Sequence, residues 1–183
     1  MRWETLFADL EAQLEARLAG ELREEIAEST RVEQARQTLD ERLTGYRGLP
    51  VSLRLCGSAE VSGVVGPVGS DYLCLEDSSN RWLIRRAAVQ SLILPTRRGG
   101  HPAVLVRTKF AAVIRALLRD RTPVGVYGMD GRSLGEGTLQ QAAEDFLVLG
   151  VHPRDEYARG RSIQAQVLIP YSAVAWIVTQ AIE

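Results

Sequence analysis

The chain has 183 residues, 45% of them hydrophobic, and a formal net charge of −1. That is enough apolar material for one sizeable core or two small ones, and too little net charge to hold a polyanion by bulk attraction. The charge is uneven, however: residues 1–45 carry 11 acidic and 6 basic side chains and the remainder 12 and 16, an acidic arm on a mildly basic body.

From Trp3 to Leu43 there is no proline and one glycine, Gly20. Trp3, Leu6, Phe7, Leu10, Leu14, Leu18, Leu22 and Ile26 recur at three- and four-residue steps, which predicts an amphipathic helix. A continuous helix of this length is roughly 60 Å long, more than a small β domain can cover. Trp3, Phe7, Leu10, Leu14, Leu18 and Leu22 are therefore the candidate contact residues for a protein partner or for self-association. A break is expected near Ser29-Thr30, because Thr30-x-x-Glu33 has capping-box form. The amino end has acids throughout and no signal-type apolar stretch. The most apolar run, Val167–Ile182, is interrupted by Pro170 and too short to span a membrane as a helix. No membrane contact and a cytoplasmic location are expected.

Val51, Leu53 and Leu55 alternate with polar neighbours and predict a first strand. Val61–Val65 predicts a second strand with a bend at Gly63, Tyr72–Leu75 a third, Trp82–Arg86 a fourth and Val89–Leu94 a fifth. Pro95–Pro102 reads as a linker, and Val104–Leu118 as a helix with Val106, Phe110, Val113, Ile114, Leu117 and Leu118 on one face. The strand unit then recurs. Pro50-Val51 matches Pro123-Val124, Leu53 matches Val126, Gly57 matches Gly131 and Gly63 matches Gly137. Asp71 falls on Asp145, Tyr72 on Phe146, Leu73 on Leu147 and Leu75 on Leu149. Leu83-Ile84 matches Leu168-Ile169, Ala88-Val89 matches Ala173-Val174, and Leu92-Ile93 matches Ile177-Val178. The fourth and fifth strands of the second copy are Ala165–Pro170 and Val174–Val178. Self-similarity of this kind marks one supersecondary unit used twice.

The organisation expected is an amino-terminal helix over 1–45, a β unit over 46–95, a linker over 96–102, and a helix with a second β unit over 103–183. Five short strands with a bend in the second fit a small closed barrel, so the fold expected is a long helix followed by two tandem five-stranded barrels, each preceded by a helix. Val51, Leu53, Val64, Leu73, Leu75, Val124, Val126, Leu139, Leu147 and Leu149 are the expected core.

The pattern of Asp130-Gly131-Arg132, Leu134, Gly137 and Leu139, followed by Asp145-Phe146-Leu147-Val148-Leu149, resembles the Sm-like (LSm/Hfq-type) fold. The resemblance covers roughly 50–95 and 123–179 and implies an α+β chain, mainly β. The chain as a whole is also similar to a group of actinobacterial proteins, some of which carry a Fis-type transcriptional regulator label, although no helix-turn-helix pattern is present. Family members that bind uridine-rich RNA use an Asn after the third-strand Asp. Here Asp71 is followed by Tyr72-Leu73-Cys74 and Asp145 by Phe146-Leu147-Val148. The second family motif keeps arginines only in the first copy, at Arg85-Arg86.

Two function classes follow. One is a non-catalytic adaptor or scaffold acting through protein contacts. The other is a binder of RNA or another single-stranded nucleic acid, with Arg81, Arg85, Arg86, Arg97 and Arg98 on phosphates and Tyr72 stacked on a base. The segment Val151–Ser162 adds Arg154, Tyr157, Arg159 and Arg161, offset by Asp155 and Glu156. No nucleophile, base and orienting group fall together, so no enzyme and no cofactor are expected. His101 and His152 lack ligand partners at metal spacing, and Cys56 and Cys74 read as buried strand thiols. A small homo-oligomer, a dimer held partly by residues 3–26, is expected in place of a large ring. Pro170 lacks a backbone donor and is expected to weaken edge pairing at the end of its strand.

Overall fold

The computed structural model describes residues 2–95, 107–152 and 165–180. The linker 96–102 with Arg97, Arg98 and His101, the predicted helical residues 104–106, and Arg154, Tyr157, Arg159 and Arg161 lie outside the described residues. The chain forms two compact units, Met1–Leu39 and Asp40–Glu183.

The first unit is dominated by α1 (Arg2–Arg36). It does not break near Thr30. The Thr30 Oγ1 donates to the Ile26 carbonyl at 2.7 Å, one turn back, so the hydroxyl that was expected to cap a new helix is used inside the old one. The helix stops instead before Gln37-Thr38, and α2 (Leu39–Thr44) follows.

Among the described residues the second unit contains ten strands: β1 (Pro50–Leu55), β2 (Glu60–Val68), β3 (Tyr72–Glu76), β4 (Asn80–Arg85), β5 (Val89–Ile93), β6 (Pro123–Gly128), β7 (Ser133–Ala142), β8 (Phe146–Val151), β9 (Ala165–Pro170) and β10 (Val174–Gln180). The helix α3 (Phe110–Asp120) precedes β6; it starts later than the periodicity predicts, because Lys109 is extended. All ten strands join one antiparallel sheet in the order β5-β1-β2-β3-β4-β10-β6-β7-β8-β9.

This corrects the expectation of two closed five-stranded barrels. Closure of either barrel would require its fourth strand to pair with its own fifth. Only a three-residue turn, Arg86–Ala88, separates β4 from β5, and it redirects the chain so that β5 pairs with β1. The edge of β4 pairs with β10 of the other repeat, Trp176 opposite Ile84 and Gln180 opposite Asn80. The result is an open sheet running through both repeats.

The repeat itself is written into the register. Leu53 lies opposite Leu92, and Val126 opposite Ile177. Leu73 lies opposite Ile84, and Leu147 opposite Ile169. Val51 lies opposite Gly63, and Val124 opposite Gly137. The slips fall at matching places too, between Arg54 and Leu55 and between Val174 and Trp176.

Strand alternation gives the β4–β10 seam two cores. Ile84 and Trp176 face one, with Leu43, Leu53, Leu73 and Leu75; Tyr127 stacks on Trp176 with centroids 5.1 Å apart. Leu83 and Ile177 face the other, with Phe110, Ile114, Val126, Leu147 and Leu149. Each fully buried aliphatic side chain contributes roughly 1.5–3 kcal/mol, so this seam is strongly held. Of the ten residues expected in the core, nine are buried; Val64 is 44% exposed and Val65 is buried in its place. One step along a strand reverses the face, and Val64 lies in phase with the exposed Glu60 and Ser62 while Val65 lies on the buried side.

The turns that carry the matching glycines touch. A Cβ on Gly57, which has φ +69°, would lie 2.5 Å from the Gly131 Cα; a Cβ on Gly131, φ +81°, would lie 3.0 Å from the Gly57 Cα. Both positions need the backbone freedom and the missing side chain of glycine.

Candidate interaction surfaces

Of the arginines selected from sequence, Arg81, Arg85 and Arg86 come together around β4, and each of these three has a partner. The Arg81 Nε donates to Glu76 Oε1 at 2.8 Å across the β3–β4 pair. Arg85 donates through Nη1 to the Tyr171 carbonyl, and its guanidinium lies 5.5 Å from the Phe110 ring centroid. Phe110 in turn meets Tyr171 edge-to-face at 6.0 Å. Arg86 forms an ion pair with Asp40 of α2, and this hydrogen bond holds its guanidinium even more firmly protonated than usual. Tyr72 is 4% exposed and packs in the second core. Its ring offers no open face for stacking a base.

Sequence reasoning missed the acidic partners that set this arrangement. Asp71, in the β2–β3 turn, accepts a 2.7 Å hydrogen bond from the Phe110 N–H at the start of α3. It thus acts as an N-terminal cap supplied from the other repeat. The turn is tied down further by Ser70 N–H donating to the Thr108 carbonyl at 3.2 Å. Local sequence does not reveal this cap, because Asp71 and Phe110 are 39 residues apart.

A cavity of about 320 Å³ opens between α3 and the β2–β3–β4–β10 part of the sheet. Cys74, Leu83 and Ile177 line it from the sheet and Val113 and Leu117 from the helix, with Glu76, Arg81 and Thr179 adding polar groups. Burial pushes the Cys74 thiol up to about 11. Because the raised value favours the neutral thiol in the folded state, its stabilisation is fully present below the ordinary value near 9 and is lost as pH rises through about 11. Urea unfolding at pH 8 and pH 10.5 tests this. Wild type is expected to lose more stability over that interval than Cys74→Ala, and equal losses would show that the thiol titrates alike in the folded and the unfolded chain.

His152, buried just after the end of β8, shares a 2.7 Å hydrogen bond with Thr138 Oγ1. Among the described residues no cluster of His, Cys, Asp or Glu has the make-up of a metal site, and no helix is long and apolar enough to cross a membrane.

Along its length α1 carries an apolar stripe. Trp3, Phe7, Leu10, Leu14, Leu18, Leu22 and Ile26 are all more than half exposed. Their four-residue steps carry the stripe gradually around the helix, because 3.6 residues make a turn. A second set of exposed apolar side chains lies at the two ends of the sheet, Ile93 on β5 and Leu168 on β9.

Compared with family models, curated proteins and solved structures, the chain matches none of them.

Proposed function

We propose that this protein is a non-catalytic, Sm-like adaptor of the cytoplasm that works through protein contacts, with α1 as its docking arm and self-association of that helix as one of its contacts. The observation that carries the reading is the row of seven large apolar side chains on α1, each more than half exposed. A stripe of that size exceeds the scattered apolar residues of an ordinary surface and is typical of a contact face. The pairing of Arg81, Arg85 and Arg86 within the chain favours a protein partner over single-stranded RNA.

The test replaces Leu10, Leu14, Leu18 and Leu22 together by Ser in the full chain and compares its mass with wild type by light scattering at tens of micromolar. Wild type is expected to self-associate, and the variant to drop to a lower mass. An unchanged mass removes α1 from the contact and sinks the docking-arm reading. Salt-sensitive retention of single-stranded RNA in a filter assay by both proteins would favour the nucleic-acid reading instead.

A further inference from the structure

The cavity between α3 and the sheet has a floor of two rows. Across β3, β4 and β10 the register sets Cys74 opposite Leu83 and Leu83 opposite Ile177. Two residues further along, it sets Glu76 opposite Arg81 and Arg81 opposite Thr179. Strand residues two apart face the same way, and all six line the cavity. The first row is apolar and shares the cavity with Val113 and Leu117 of α3. The second row is polar and lies about 7 Å from the first, the length of two strand residues.

The repeat separates what the strands need from what this cavity adds. Cys74, Leu83 and Ile177 correspond to Val148, Leu168 and Leu92, apolar in both copies. Glu76, Arg81 and Thr179 correspond to Gly150, Gln166 and Leu94, so the polar row is no part of the shared strand pattern. Thr179 is 7% exposed at a position where the other copy has leucine. The other buried threonines, Thr44 and Thr138, engage their hydroxyls with the Asp40 carbonyl and with His152. Among the described residues the Thr179 hydroxyl has no such partner. A buried hydroxyl without a hydrogen bond is unfavourable, and a ligand that bonds to it recovers the loss.

We propose that this cavity binds a small uncharged amphiphile, an alcohol or a primary amide, with its apolar body on the Cys74–Leu83–Ile177 row and its head at the Glu76–Arg81–Thr179 row. The volume of about 320 Å³ falls in the range of small-molecule sites. A cavity of about 150 Å³ holds benzene, so roughly ten non-hydrogen atoms fit here. The head is uncharged because Glu76 and Arg81 already neutralise each other at 2.8 Å. A carboxylate would meet Glu76 and an ammonium would meet Arg81, whereas a hydroxyl or an amide accepts from the guanidinium and donates to the carboxylate. Every residue of the site belongs to the unit Asp40–Glu183. The inference therefore needs nothing from the α1 reading.

Titration of the isotope-labelled full chain with n-octanol, followed through its amide chemical shifts, tests it. The titration is run in wild-type and in Leu10/Leu14/Leu18/Leu22→Ser backgrounds, which separates the cavity from the exposed stripe. Saturable shifts at Leu83, Val113, Leu117 and Ile177 are expected in both. Octanoate and octylamine are expected to bind about tenfold more weakly, since each brings a like charge to the ion pair. Thr179→Val, which keeps the shape and removes the hydroxyl, is expected to weaken octanol about fivefold. Val113→Trp is expected to abolish the shifts at Leu83 and Ile177 with the circular dichroism spectrum unchanged. No saturable shift at these residues in wild type overturns the inference, whatever the variants do. So does loss of the shifts in the helix variant, which would place the alcohol on α1. Octanoate or octylamine binding as tightly as octanol would overturn the uncharged head.

Discussion

Gly137→Ala is expected to unfold the protein at markedly lower temperature or denaturant than wild type. Gly137 sits in β7 with φ +153°, and an added Cβ would fall on the Gly150 carbonyl, 2.9 Å from its carbon and 3.1 Å from the His152 nitrogen. These are backbone atoms of the neighbouring strand, so a side-chain rotation cannot relieve the overlap. Unfavourable φ alone costs on the order of 1–3 kcal/mol, and prising β8 away adds to it, for a total of about 4 kcal/mol. At ~2–4 °C per kcal/mol for a protein of this size, Tm is expected to fall by about 10 °C. The repeat supplies the control. Gly63, its equivalent in β2, has no positive φ, and a Cβ there would lie 2.8 Å from the Glu76 carbonyl oxygen. Gly63→Ala is expected to destabilise less. Equal melting temperatures for wild type and Gly137→Ala would show that β7 relaxes around the methyl.

Replacing Arg85 and Arg86 together by Ala is expected to lower Tm by about 5–10 °C, corresponding to roughly 2–3 kcal/mol. Arg86→Ala leaves Asp40, whose side chain is 19% exposed, without its cation. That loss is discounted because the arginine itself is partly in solvent. Arg85→Ala removes the donor to the Tyr171 carbonyl and the cation beside Phe110, at a position where α3, β4 and the turn after β9 meet. Differential scanning calorimetry checks the shift, and an unchanged Tm would mean that both arginines are available to a ligand. The double variant has a second use. Loss of RNA retention without loss of Tm would point to phosphate contacts, while loss of Tm without any RNA retention in wild type would point to a purely architectural role.

The strands were legible because alternation, turn residues and bend glycines are local properties of the chain. Ala165–Pro170 appears as β9 with the bounds the sequence implies, and the matching of Leu53 with Val126 and of Leu83-Ile84 with Leu168-Ile169 is repeated in the pairing. What alternation does not specify is the partner of an outer strand. Ile84 and Leu83 looked like the two faces of one barrel wall; they face two different cores because β10 arrives from the other repeat. The surroundings of the candidate site were not legible for a related reason. Arg85, Arg86 and Tyr72 stand next to one another in type and spacing as a nucleic-acid site would need. Asp40, Phe110 and Tyr171, which engage the arginines, and the core that encloses Tyr72 come from distant segments. The exposed α1 stripe was legible throughout, since periodicity alone defines it.

The position of β10 also has a kinetic consequence. It is the last of the ten strands along the chain, yet it lies in the interior of the sheet, between β4 and β6. As the polypeptide is made from its amino end, β1–β5 and β6–β9 emerge as two part-sheets before the strand that joins them exists. Until then the side chains destined for β10, Leu83 and Ile84 among them, remain uncovered, and the β4 edge has no partner. Joining them requires contacts between residues far apart in sequence, which slows folding and leaves an aggregation-prone intermediate. The final strand thus acts as the locking step of assembly, and nascent chains stalled before Val174 should be the ones that depend most on chaperones.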